Sequence, residues 1–107
     1  MRYKVLLTDR AESDIDSALL WFREQRASDA GKRWFNLLTE RILTLELHPD
    51  RCPVAAESEY AGAEIRELSF GRRQVQYRIL FVIDNKVVTI LRVWHASRDS
   101  MTREDLF

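Results

Sequence analysis

The apolar positions of this chain change period twice, and the changes divide it into a helical half and a β-rich half. From Ala11 the residues Ile15, Ala18, Leu19 and Phe22 fall on one stripe of a 3.6-residue period, which predicts a helix capped by Thr8 or Asp9. The pattern breaks at Gln25 to Asp29. A second stripe, Ala30, Trp34, Leu37, Leu38, Ile42 and Leu45, then predicts a helix capped by Ser28 or Asp29 and running to about Leu47, with Pro49 as its stop. Beyond residue 64 the period falls to two. Gln76 to Ile83 alternates Tyr77, Ile79, Phe81 and Ile83 against Gln76, Arg78, Leu80 and Val82, as a central strand does. Asp84-Asn85-Lys86 tolerates positive φ, and the β-rich run Val87 to Trp94 completes a hairpin. Ile65 to Phe70 reads as the preceding strand, with a turn at Gly71-Arg72. Met1 to Leu7 carries a Val and Leu cluster and reads as a first strand that pairs with the later sheet.

The fold class is therefore α+β: an N-terminal strand, a long antiparallel helical hairpin, then a three-stranded antiparallel sheet that the apolar stripes cover. With 107 residues, 46% of them hydrophobic, the whole chain from 1 to 107 is one domain around one modest core. If Asn85-Lys86 is a two-residue loop, Asp84 lies opposite Val87, Arg78 opposite Val93 and Gln76 opposite His95. Arg78 and His95 then become diagonal neighbours on one face, beside Leu80, Val82, Val87 and Leu91, and Ile65 and Glu67 share that face. Leu68 and Phe70 join Val75 and Tyr77 on the core side.

Charge alters this picture in one respect. The formal net charge is zero, yet residues 65 to 98 carry seven basic and two acidic side chains, so positive charge sits on the strands and suits an acidic protein or a phosphate. A pI near 6.7 is low for a dedicated nucleic-acid binder. Asp9, Glu12, Asp14 and Asp16 are the carboxylates a helix dipole favours at its N-terminus, and no histidine accompanies them, so no metal site is expected. Cys52 is a lone thiol without an activating neighbour, which makes it a buried or incidental residue. Trp21, Trp34 and Trp94 read as filler of the core and hairpin. Pro49 to Glu64 reads as a connecting loop, and the tail after Asp99 either frays or docks. The absence of a signal peptide or a long apolar span leads us to expect a cytoplasmic protein with no membrane partner.

The order of these elements, with Arg66 and Leu68, Gly71, Tyr77, Arg78, Ile79 and Phe81, then Leu91, Val93, His95, Arg98 and Asp99, resembles the RelE/ParE toxins of type II toxin–antitoxin, or plasmid stabilization, modules. The resemblance spans nearly the whole chain. It implies a toxin bound by a cognate antitoxin in a hetero-oligomer, with no cofactor, and two mechanisms within one fold. RelE-like members cleave mRNA on the ribosome, whereas ParE-like members poison DNA gyrase. Cleavage needs a base, cations for the developing charge and an acid, roles that Arg78, His95 and Arg98 would have to fill.

The RelE-like set carries basic residues on the strand beside Arg78 and a terminal tyrosine or histidine. Here that strand offers Ile65 and Glu67, and the tail offers Ser100, Met101 and Phe107. The departures favour the ParE-like reading, with Arg66, Arg78, Leu80, Val82, Leu91 and His95 as the surface for target or antitoxin. An acidic-apolar antitoxin segment that folds on binding would also reach Trp21, Phe35 or Leu38 on the hairpin and bury more than a standard interface. A third reading keeps the fold as a binding module without toxicity. Growth arrest on expression without antitoxin, and a small neighbouring frame encoding a DNA-binding domain with a disordered tail, would distinguish a toxin from it.

Overall fold

A computed structural model describes residues 2–72, 75–98 and 101–107. Strand β1 (Lys4–Leu7) leads into helix α1 (Asp9–Glu24), and α2 (Ser28–Leu43) returns antiparallel beside it. A 3-10 turn (Thr44–Glu46), a second (Pro49–Arg51) and the short helix α3 (Ser58–Ala61) bring the chain to β2 (Arg66–Arg72), β3 (Val75–Asp84) and β4 (Val87–His95). Helix α4 (Arg103–Leu106) ends it. The sheet has four strands in the order β1-β4-β3-β2 rather than three, because β1 adds to the edge of β4 in parallel, Val5 beside Val88 and Leu7 beside Ile90.

Local chemistry accounts for the element ends. The Thr8 hydroxyl accepts from the Ala11 N–H at 3.1 Å, capping α1, and donates to the Leu91 carbonyl at 2.9 Å, so one side chain starts the helix and ties it to β4. The cap expected at Ser28 or Asp29 is absent: Ala27 precedes α2 and offers no side-chain acceptor. That helix also ends earlier than its apolar pattern, at Leu43, and the 3-10 turn carries Leu45 into the core in its place. Asn85 at φ 47° and Lys86 at φ 67° form the two-residue hairpin turn with both central residues left-handed, as the strand twist requires. Strand β2 runs on past Gly71, pairing Arg72 with Val75, so Gly71-Arg72 is strand and not the turn expected there.

The main core lies between the hairpin and one face of the sheet. Ala11, Ile15, Ala18 and Phe22 of α1 and Trp34, Leu38 and Ile42 of α2 cover Phe70, Ile79, Phe81, Val88, Ile90 and Val93. Each large side chain buried here stabilises the fold by about 1.5–3 kcal/mol. Gly31 permits the close helix contact, since an added Cβ would meet the Phe22 Cβ at 3.0 Å. Trp34 stacks into a ring cluster with Phe70 and Tyr77, while Trp21 lies 54% exposed and does not fill the core.

One irregularity decides the faces. Phe81 pairs with Ile90 but Leu80 pairs with Arg92, so Leu91 is an extra residue, a bulge, in β4. Past it the register slips by one: Arg78 lies opposite Trp94, not Val93, and Tyr77, not Gln76, lies opposite His95. Because side chains alternate with period two, the slip moves His95 to the hairpin side and leaves Arg78 on the other. The shared face expected for Arg78 and His95 does not exist.

Candidate functional site

Arg78 sits mid-strand in β3 on the face turned away from the hairpin, as the alternation of Tyr77 and Ile79 into the core demands. That face is not open. Ala55 and Ala61 from the segment before β2, and Met101 and Leu106 from the tail, cover Ile65, Leu80, Leu91 and Trp94 in a second core, with Val82 partly buried at its edge. The expected connecting loop is thus a lid. Its anchoring is local: Val54 bridges Arg66, the Ala55 N–H donates to the Ile65 carbonyl at 2.7 Å, and Ser58 Oγ both accepts from the Ile65 N–H and donates to its carbonyl. The tail docks through a capping box in which Thr102 and Asp105 satisfy each other's backbone N–H. Tyr60 donates to the Met101 carbonyl and Arg10 to the Glu104 carbonyl.

Under this lid Arg78 meets two carboxylates. Its Nη1 and Nη2 donate to both oxygens of Glu57 at 2.8 and 2.7 Å, and its Nε donates to Glu67 at 2.9 Å. Glu57 is 3% exposed, and the hydrogen bonds from Arg78 hold its carboxyl below the ordinary value of 4.5 despite burial. The same bonds push the guanidinium further up. One cation between two carboxylates leaves a net negative trio that repels a phosphate, and a carboxylate of lowered pKa is a poor base. Glu67 shares the face of Arg78, as its strand position implied. Glu57 was not foreseen, since it belongs to an aperiodic segment with 20 residues of chain between it and Arg78, and nothing local in the sequence joins them.

Arg66 and Arg92 are similarly occupied. Arg66 donates to the Asp50 and Cys52 carbonyls and pairs with Glu64 at 3.0 Å. Arg92 closes a bidentate pair with Asp14 at 2.8 and 2.7 Å, and Asp14 also accepts the Val93 N–H at 3.0 Å, next to the bulge. Asp14 therefore fastens α1 to β4, a larger task than complementing the helix dipole. Arg66, Arg78 and Arg92 are thus neutralised within the fold.

His95 lies on the opposite face of the sheet from Arg78. The His95 ring meets Tyr77 edge-on at 5.0 Å, and Arg98 lies over the Trp94 ring at 4.5 Å. Of the three residues that a nuclease would need, Arg78 and His95 are divided by the sheet. Of the expected binding surface, Leu80 and Leu91 are buried under the lid and tail, Arg66 and Arg78 are engaged, Val82 is partly covered and His95 faces the other way. On the hairpin, Trp21 and Phe35 are exposed, but Leu38 is 1% exposed within the main core. Cys52 is buried, and burial raises its thiol pKa.

A search of curated proteins finds no match. Among solved structures, a chain described as the chromosomal ParDE TA system from P. aeruginosa superposes with a TM-score of 0.70 at 18% identity, over 88% of this chain and 96% of that one, a likeness of fold. The family model for the ParE toxin of type II toxin-antitoxin systems, parDE, matches residues 5–100. With nearly the whole chain matched, strand, hairpin and lidded sheet included, this protein belongs to the ParE toxin family of type II toxin–antitoxin systems.

Proposed function

We propose that this ParE-family toxin arrests growth by poisoning DNA gyrase in the cytoplasm and is neutralised by a cognate antitoxin. The observation that carries the choice of target is the closed trio of Glu57, Arg78 and Glu67. Phosphodiester cleavage requires an unspent cation at the developing charge and a base beside it. Here the central arginine is committed to two carboxylates beneath a packed lid, and His95 stands on the other face of the sheet. A mechanism that works by binding, without bond cleavage by the toxin, fits this interior. No described helix is long and apolar enough to cross a membrane.

The same geometry supports an antitoxin surface on the hairpin. Since the lid and tail occupy the Arg78 face, most of the exposed large apolar side chains lie on the hairpin and its exit, where Leu20, Trp21, Phe35, Leu43 and Leu47 are each more than two-fifths exposed. An amphipathic antitoxin segment that folds as it binds would cover them, and the ordering cost requires a large interface. Induction without antitoxin tests the reading: filamentation and a DNA-damage response are expected, and both should vanish when the antitoxin is co-expressed. Arrest with codon-level cleavage of mRNA and no DNA damage would refute it. A second copy of the experiment with Trp21→Glu should retain toxicity yet escape rescue by the antitoxin.

A further inference from the structure

A pocket of about 500 Å³ opens between α1 and the end of β4, on the hairpin side of the sheet and away from Arg78. Trp21, over half exposed, forms an apolar wall with the half-buried Tyr77. Ser13 and Ser17, one helical turn apart on α1, supply hydroxyls that make no hydrogen bond within the described residues. His95 and Arg98 supply the remaining polar groups. The Asp14 carboxylate at the floor is neutralised by its bidentate pair with Arg92, so Arg98 gives the pocket its net charge, which is positive.

The polar groups are oriented as donors. The Ser97 N–H donates to Nδ1 of His95 at 3.0 Å, so the neutral ring carries its proton on Nε2 and has that N–H to offer. The Arg98 guanidinium carbon lies 4.5 Å from the centre of the Trp94 ring and, among the described residues, Arg98 has no carboxylate partner, which leaves its N–H groups for an anion. A pocket of this size is within the range that holds a small ligand. We infer that it binds a nucleotide, with the base against Trp21, the phosphate held by Arg98 and His95 Nε2–H, and Ser13 and Ser17 bonding the sugar or base edge.

A nucleotide is the ligand class that uses every part. Inorganic phosphate or an acidic side chain would engage Arg98 and His95 but leave the exposed indole and both hydroxyls idle, whereas a purely apolar ligand would strand the cation. Two sources share this chemistry, a free nucleotide and the terminal nucleotide of a strand. The inference does not depend on the cellular target proposed above.

Calorimetric titration of the purified full-length toxin tests it, with AMP, inorganic phosphate, a 5′-phosphorylated tetrathymidylate and an acidic tetrapeptide as separate probes. AMP should saturate, and Trp21→Ala should weaken it by roughly fivefold or more, as lost base stacking does. Trp21→Phe should recover most of that loss, and Arg98→Ala should weaken binding and flatten its salt dependence. Because Trp21 and Arg98 lie outside the core, circular dichroism should show both variants folded. A tetranucleotide that binds tighter than AMP identifies a strand end as the ligand, and equal or weaker binding identifies the free nucleotide. Phosphate or the peptide binding as well as AMP, AMP affinity unchanged in Trp21→Ala, or no saturation at millimolar AMP would each overturn the inference.

Discussion

Replacing Arg78 with methionine keeps most of the side-chain volume and removes the charge that the lid closes over. Glu57, 3% exposed, would lose both charge-assisted bonds, and Glu67 would lose its bond of 2.9 Å. A hydrogen bond to a charged group contributes about 1.5–3 kcal/mol, but the bonds of one guanidinium are not independent, and removing one partner of a buried pair costs about 3–5 kcal/mol in all. The Arg78 side chain keeps 19% exposure and some water reaches it, which sets the expected loss near the lower bound, about 3 kcal/mol. In thermal unfolding this is a fall of roughly 10–20 °C for a domain of this size. The pH dependence identifies the cause. In the wild type the pKa of Glu57 lies below 4.5, so its contribution is complete above that value and lost as pH falls through the lowered one. Without Arg78 burial is opposed only by the backbone hydrogen bonds to Glu57, the carboxyl takes up a proton more readily, and the gap between variant and wild type should narrow on acidification from about pH 7 to pH 3. A deficit under about 1 kcal/mol at neutral pH, or one that does not narrow in acid, would refute the reasoning. Replacing all three residues with apolar ones, Glu57→Leu, Glu67→Leu and Arg78→Met, should recover much of the loss, because an ion trio is costly to bury.

Further expectations rest on other parts of the fold. The carboxyls of Glu57 and Asp105 are both held down, Asp105 chiefly by the Thr102 N–H, so wild-type stability should be flat above their ordinary values and decline in acid below them, read as melting temperature against pH. Gly31→Ala should lower the melting temperature even though alanine favours helix by about 1 kcal/mol, because its Cβ would press on Phe22; a rise would show that the hairpin can spread. Cys52 should react with a thiol reagent only as fast as the lid opens, since it is 3% exposed with a raised pKa; reaction at the rate of a free thiol would show the segment unseated.

The elements were legible because their signals are periodic and local. The stripe through Ile15 and Phe22, the alternation from Tyr77 to Ile83 and the Asn85-Lys86 turn each specify structure within a few residues. The site was less legible for two physical reasons. A bulge is one unpaired residue, Leu91, in a run where every residue suits a strand, so nothing in Val87 to Trp94 announces that the faces exchange, and that single slip separates His95 from Arg78. The second reason is distance along the chain. Glu57 reaches Arg78, and Asp14 reaches Arg92, across long separations that no spacing rule encodes. The tail gave a partial sign in Met101 and Leu106, apolar residues in a polar stretch, which are the ones that dock.

The central claim, that an arginine committed to two carboxylates marks a toxin which acts by binding gyrase, is tested most directly with purified components. Gyrase, relaxed plasmid, ATP and increasing toxin should give a loss of supercoiling and an accumulation of cleaved DNA, and premixing with the antitoxin should prevent both; translating ribosomes given the same toxin should keep their mRNA intact. Undiminished supercoiling at toxin excess, together with mRNA cut on the ribosome, would contradict the account.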